Sequence, residues 1–559
     1  MKNCSKRLQY LTSLLWCALV LALLVCLPAT NALADPIWVR HVSPRSYSRN
    51  ICIDTPLYLT FNQQPVLGSS GTVRVYQADN TLVDTIDVAD PNSFKRPIGG
   101  ATYNGQPYLF NYYPVIITGN TAAIYLHQPL NYGQTYYVLI DAGVFQDSHG
   151  DSFRGFNGPY HWRFRTKLSG PPPGATRLVV DADGHADFCT VQGAIDFVPQ
   201  NNTQRVVIDV RRGTYTEIVY LRSNKPFITV EGEDRNATVI QYANNNNLNQ
   251  VSLQFRALFN MDANDFVLQN ITLHNTTPHL GSQAEAFRGF GARTLLNRVN
   301  LSSFQDTLLL QNRAFVTNSY IEGDVDFMWG GGQVFFEDCE LKALNPAYYT
   351  QIRNAQGSHG NVYVNCILTR APNVADASSY LSRIDPNGFP FSEVVFINAA
   401  MDAHIKPVGW LLNNADCSMA ASIHFAEYHS TDLNGNPIDT SQRLACSSQL
   451  TDDEAAQLSD PNNVIGWVPM TVNASPDSVS AGDNIAVNWS APAGHSGSNY
   501  VGLYRVGAPD DQYLTFQYIG DATTGTLNFA APSDAGRYEF RYFGSDGTRL
   551  AISNRVYVQ

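Results

Sequence analysis

The 559-residue chain is short of basic charge, with 36 Lys and Arg against 48 Asp and Glu, a formal net of −12. That balance argues against nucleic acid or an anionic membrane as partner, because both are held through clustered cations. A polyanionic substrate would have to meet a local group of Arg or Lys. After the first 25 residues no run is apolar for long enough to cross a bilayer. The twelve histidines show no metal-ligand spacing. The serine-nucleophile elbow G-x-S-x-G is missing too. Its nearest approach, Gly494-His495-Ser496-Gly497-Ser498, fails at the last position and lies in a sandwich loop.

What is present begins with a leader pattern. Lys2, Lys6 and Arg7 precede an apolar run from Leu11 to Val25, and Ala32-Leu33-Ala34 stands before Asp35. This is the layout of a cleavable signal peptide over 1–34, and it predicts a secreted product, extracellular or periplasmic, with no membrane attachment after cleavage. A lipid anchor on Cys26 is the weaker reading, because Val25 stands where a small residue is wanted. Six cysteines remain: Cys52, Cys189, Cys339, Cys366, Cys417 and Cys446. An even number fits disulfides in an oxidising compartment without fixing their connectivity. Cys417 with Cys446 is the expected bridge.

Residues 35–168 alternate apolar and polar over short runs such as Leu57-Tyr58-Leu59-Thr60-Phe61, separated by Gly, Asn and Asp turns, and read as an Ig-like β-sandwich. A Pro/Gly linker over 169–175 follows. In 176–460 one heptad-length pattern recurs: VLQNITL (267–273), LLNRVNL (295–301), FVTNSYI (315–321), FFEDCEL (335–341), VYVNCIL (362–368) and VFINAAM (395–401). Recurrence of a strand-bend-strand unit at 20–33 residues predicts stacked coils of a right-handed parallel β-helix. The Asn-rich fourth column is expected to make a hydrogen-bonded ladder at the bend. Cys339 and Cys366 share the fifth column and are expected as stacked buried thiols. Residues 467–559 read as a second β-sandwich, its aromatics mostly core, so the fold class is all-β with two sandwiches flanking a catalytic solenoid.

The repeat places side chains. Asp306 follows Arg298 by eight residues and Asp326 follows Asn318 by eight, so the two carboxylates hold one register in neighbouring coils, about 4.8 Å apart along the stack. Such a pair does not ionise evenly: one member is expected to be raised as an acid and the other to stay low as a nucleophile. Gln305 and, one coil earlier, Gln283 supply amide donors for a developing oxyanion. Arg383 is expected to clamp Asp326. Gly323-Asp324-Val325-Asp326-Phe327-Met328-Trp329-Gly330 surrounds the second carboxylate with rings suited to a sugar groove.

At these residues the chain resembles the pectin methylesterase (pectinesterase) family over 175–445. Gly213-Thr214-Tyr215-Thr216-Glu217, Gln283-Ala284-Glu285-Ala286, Gln305-Asp306-Thr307, Asp326-Phe327 with Gly330, Arg383, and Pro407-Val408-Gly409-Trp410 follow the family's signatures in order. The N-terminal segment resembles a bacterial Ig-like domain. The family resemblance implies that Asp326 attacks the methyl ester of a galacturonate in pectin, Gln283 and Gln305 steady the oxyanion, and Asp306 is general acid and base. It implies that Arg383 orients Asp326, with no metal or cofactor. Phe327, Trp329, Trp410, Arg288 and Tyr380 are expected to contact the sugar, and the enzyme is expected to act as a monomer. Where the family has Pro-Trp after its arginine, this chain has Ile384-Asp385, so Tyr380 or Phe389 has to replace a lost platform. A pectin hydrolase or lyase shares the solenoid, but no Asn-Thr-Asp or Gly-His-Gly motif is present; a non-catalytic binding solenoid is the other alternative.

Overall fold

In the computed structural model, which describes residues 36–559, the heptads found in the sequence stack in one register. The signal-peptide reading of 1–34 lies outside the described residues. Val267, Leu295, Phe315, Phe335, Val362 and Val395 pair in succession, as do Leu268, Leu296, Val316, Phe336, Tyr363 and Phe396. They belong to an eleven-stranded parallel sheet running from Arg177–Val180 to Ser448–Gln449. Two further parallel ladders merge through the long strands Tyr320–Gly330 and Glu340–Ile352, which run across both and complete the coils. Successive side chains alternate across a strand. The second heptad position therefore points into the solenoid core, while the first points outward and is covered by the helices Asp452–Leu458 and Pro461–Ile465. Truncating a core ring such as Phe336, which is fully buried, costs about 3–5 kcal/mol.

The fourth heptad position has a conformational cause. Asn270, Arg298, Asn318, Asp338, Asn365 and Asn398 all have φ between 51 and 55°, the left-handed region that Asn tolerates best after Gly. Each backbone N–H donates to the carbonyl preceding the next coil's bend, from Asn270 to Asn297 (3.2 Å) through Asn398 to Tyr428 (2.8 Å). The hydrogen-bonded ladder expected at the bend is thus present, carried mainly by the backbone, with a side-chain rung from Asn398 to Asn365 at 3.3 Å. His429, with φ 49°, continues the column in a coil whose sequence lacks the heptad. Cys339 and Cys366 are free and fully buried in the stack.

The N-terminal sandwich has two four-stranded antiparallel sheets around Leu59, Phe61, Tyr136 and Trp162. From it a hairpin, Lys95–Tyr103 with Gln106–Asn111, reaches out to the solenoid, and its Ile98, Ala101 and Phe110 join the solenoid's own apolar core. A disulfide between Cys52 and Cys189 ties sandwich to solenoid, and Cys417 is bridged to Cys446. The C-terminal sandwich, built around Trp489, Tyr538 and Phe540, packs on the first coils, where Arg537 and Arg555 meet Glu233. Among the described residues no helix is long and apolar enough to cross a membrane.

Candidate active site

Leu301 pairs with Ile321 and Leu308 with Met328, which sets Asp306 beside Asp326 on consecutive coils. The backbone N–H of Asp306 donates to Val325 O at 3.1 Å. Both aspartates are left-handed, φ 67 and 50°, at a second bend of the coil, and both are 7 % exposed or less. Left-handed backbone costs an ordinary residue about 1–2 kcal/mol, and its concentration at two stacked carboxylates marks a site held in place by its surroundings.

Each carboxylate has its own cation. Arg383 grips Asp326 in a fork, Nε to Oδ1 at 2.7 Å and Nη2 to Oδ2 at 2.6 Å, as expected from the sequence. Gln351 adds a third bond, Nε2 to Oδ2 at 3.0 Å, and is itself held by Arg353 Nε at 2.9 Å. Oδ1 therefore accepts one bond and Oδ2 two, which leaves Oδ1 the freer lone pair. Asp306 receives Arg256 Nη2 on Oδ2 at 2.8 Å, and the same guanidinium is shared with the fully buried Glu285 through three bonds of 2.6–3.0 Å.

These partners set the order of ionisation. Burial pushes the Asp306 carboxyl well above the ordinary carboxylate range, with Glu285 and Asp326 adding to the rise and Arg256 opposing it. Burial raises Asp326 as well, against Arg383 and Arg353, so Asp326 does not stay low as expected from the sequence. The physical reason is that a guanidinium fork limits the desolvation penalty of an enclosed carboxylate without cancelling it. Asp326, facing cations not consumed by a third carboxylate, ionises first.

Gln283 and Gln305 lie half-buried on adjacent coils, joined by Ala284 N to Gln305 O at 3.1 Å. Gln283 Oε1 accepts from Ser282 Oγ, and neither amide nitrogen is engaged in a hydrogen bond among the described residues. Trp329, 8 % exposed, lies between the guanidinium groups of Arg256 (5.5 Å) and Arg353 (5.0 Å). Arg353 also sits 4.9 Å from the Phe389 ring, while Tyr380 stacks on Tyr348, over which Arg383 lies at 4.1 Å. Phe389 and the Tyr348–Tyr380 pair thus each lie against a guanidinium that acts on Asp326.

Three expected sugar contacts need correction. Phe327 is fully buried in the solenoid core against Tyr349, because the left-handed bend at Asp326 turns the next side chain inward. Trp410 is 1 % exposed and stacked on Phe425 in the same core. Arg288 is 3 % exposed, ion-paired with Asp262 at 2.8 Å and laid on Phe290, so it is not free for ligand. Conversely, Arg256, Gln351 and Arg353 escaped sequence reasoning, and Glu285 entered it only within the Gln283-Ala284-Glu285-Ala286 signature, without a role. Gln351 shares the outward row of Trp329. The strand bearing it is off the 20-residue period, and Arg256 comes from a loop outside any heptad.

A family profile described as Pectinesterase matches residues 177–465, and one described as Bacterial Ig-like domain matches 34–166. Pectinesterase 31 of Arabidopsis thaliana is 33 % identical over 293 residues, covering 50 % of this chain and 90 % of the relative. Pectinesterase 1 of Olea europaea is 30 % identical over 296 residues, 51 % of this chain and 77 % of the relative. The solved structure of a pectin methylesterase from carrot aligns with a TM-score of 0.48 and 25 % identity, covering 53 % of this chain and 95 % of that one.

Proposed function

The chain belongs to the pectinesterase family, a family of carboxylic ester hydrolases, and we propose that it removes methyl groups from galacturonate esters in pectin through Asp326 and Asp306. The observation that carries the reading is the stacked aspartate pair with Arg383 forked on one member and Arg256 shared with Glu285 on the other. Asp326, ionised, adds Oδ1 to the ester carbonyl carbon. The oxygen that takes up the charge accepts hydrogen bonds from the Gln283 and Gln305 amides. Collapse breaks the carbon–methoxy bond, the methoxide leaves with the proton of Asp306 as methanol, and an acyl-enzyme anhydride on Asp326 remains. Asp306, now a carboxylate, takes a proton from water as that water attacks the anhydride, releasing galacturonate and restoring both groups.

The burial-raised Asp306 suits the protonated start of this cycle, and its Oδ1, outside the Arg256 contact, suits proton delivery. Trp329, Phe389 and Tyr380 border the sugar in this reading. The leader pattern at 1–34 supports secretion, and the monomer expectation stands as part of the same proposal. The test is the product spectrum on methyl-esterified homogalacturonan: methanol with no new reducing ends and no unsaturated uronides is expected. Chain cleavage without methanol would replace the esterase with a hydrolase or lyase.

A further inference from the structure

Arg256 reaches Asp306 from a loop whose position depends on a different domain. Asn244 Nδ2 donates to the carbonyls of Phe255 (2.8 Å) and Ala257 (2.7 Å), the two residues that flank Arg256. Asn244 is in turn held by Asn249, Nδ2 to Oδ1 at 2.7 Å. Asn249, 1 % exposed, is held by the hairpin of the N-terminal sandwich: its Oδ1 accepts from Asn111 N (2.9 Å) and from the Tyr108 hydroxyl (3.1 Å), and its Nδ2 donates to Asn111 O (3.2 Å). Asn111 Nδ2 also donates to Leu248 O at 2.6 Å. Alongside this polar chain the Tyr108 ring stacks on Phe255, the residue before Arg256, with centroids 3.8 Å apart.

Every buried polar group along this route has a partner, which is the condition under which such a network rigidifies rather than weakens a structure. Phe255 belongs to the same apolar core as Phe110 of the hairpin, so the loop is gripped on both its polar and its apolar side. The groups facing Asp306 are Arg256, Glu285, Asp326 and Arg353. Of these, the cation in contact with it is Arg256, and Glu285 competes for that cation. Displacing Arg256 removes the charge that favours ionised Asp306. Removing Glu285 leaves the whole guanidinium to Asp306.

We propose that the N-terminal sandwich is a working part of the active site: through its hairpin it fixes Arg256 as a positioning residue between Glu285 and Asp306, and so governs the acid–base group of the reaction. This rests on Asp306 having that role, with the alkaline limb of kcat/KM reporting its loss of a proton. The experiment uses the full chain and methanol release across pH. Arg256→Gln is expected to move the alkaline limb up and Glu285→Gln to move it down, each by about one unit. Tyr108→Ala with Asn249→Ala, both remote from substrate, is expected to move the limb up by a smaller amount, and Tyr108→Phe less again. Tyr137→Leu, which breaks the Tyr76–Tyr137 stack inside the sandwich away from the hairpin, is expected to lower Tm with the limb unmoved. If the Tyr108 and Asn249 variants lower Tm while leaving the limb where it was, the hairpin is merely structural and the proposal falls. If Arg256→Gln and Glu285→Gln move the limb the same way, the sharing of the guanidinium is wrong. Full activity in Asp306→Asn would instead overturn the reading of Asp306 itself.

Discussion

Replacing Arg383 with Met keeps the aliphatic stem and removes a cation that makes two bonds of 2.6–2.7 Å to Asp326. An opposite charge at this range holds a carboxylate down by about 1–3 units, so its loss lifts Asp326 by about 2 units, or about 2.7 kcal/mol. Asp326 works ionised, so the acid limb of kcat/KM moves up by the same amount; the rate falls about 10-fold one unit below the new limb and approaches a loss of about 100-fold below the old one. Raising the pH recovers part of it, until Asp306 loses its proton and closes the bell from the other side. The fold gives a second reading. An acid whose folded-state pKa lies above its unfolded value contributes stability in full below the unfolded pKa and loses it as pH rises through the folded one. Asp326 is already raised, so Tm of Arg383→Met falls more steeply with pH than wild type. Arg383→Lys, keeping the charge without the fork, moves the limb less. An acid limb unmoved in Arg383→Met, with a loss of rate equal at every pH, would refute the assignment of Arg383 to Asp326's ionisation.

Asp306→Asn keeps a side chain that tolerates φ 67° and removes a raised carboxyl, so it should abolish turnover and raise Tm near neutral pH, as scanning calorimetry would show. A lowered Tm contradicts it. Glu393, bonded to His359 and His424 at 2.8 Å each, is held down to about 2, and His359 is raised above 6.5 by the same contact. The Glu contribution is present above 4.5 and lost as pH falls toward 2. The His contribution is full below 6.5 and lost above it. Glu393→Gln should therefore cost most, about 2 kcal/mol, at pH about 5–6 and least above about 8 by chemical denaturation; a flat penalty sinks the triad. Opening the 137-residue span closed by Cys52 and Cys189 with a double Ala variant should lower stability by up to about 5 kcal/mol, and an unchanged Tm would mean that the sandwich–solenoid interface alone suffices.

The stack of coils was legible because its heptads repeat an apolar pair on either side of a bend, and the repeat alone sets Asp306 next to Asp326. The cause of the Asn column was less legible: the pattern pointed to the hydrogen-bonded ladder at the bend but not to the left-handed φ that selects Asn there. The same bends explain the misread rings. Phe327 follows a left-handed Asp and turns into the core, which alternation along a plain strand does not forecast. Arg256 and its supports were hidden because nothing in the order of residues 95–111 and 244–256 announces that two domains share one core. Long-range contacts of this kind carry no local periodicity.

The most direct test of the account is methanol release from methyl-esterified homogalacturonan by wild type and by Asp326→Asn, which preserves the left-handed backbone better than Ala at φ 50°. The account predicts release by wild type and a loss of at least ~10³-fold in the variant at matched folded fraction. No methanol from wild type, or a variant within about tenfold of it, would contradict Asp326 as the nucleophile of a pectin methyl esterase.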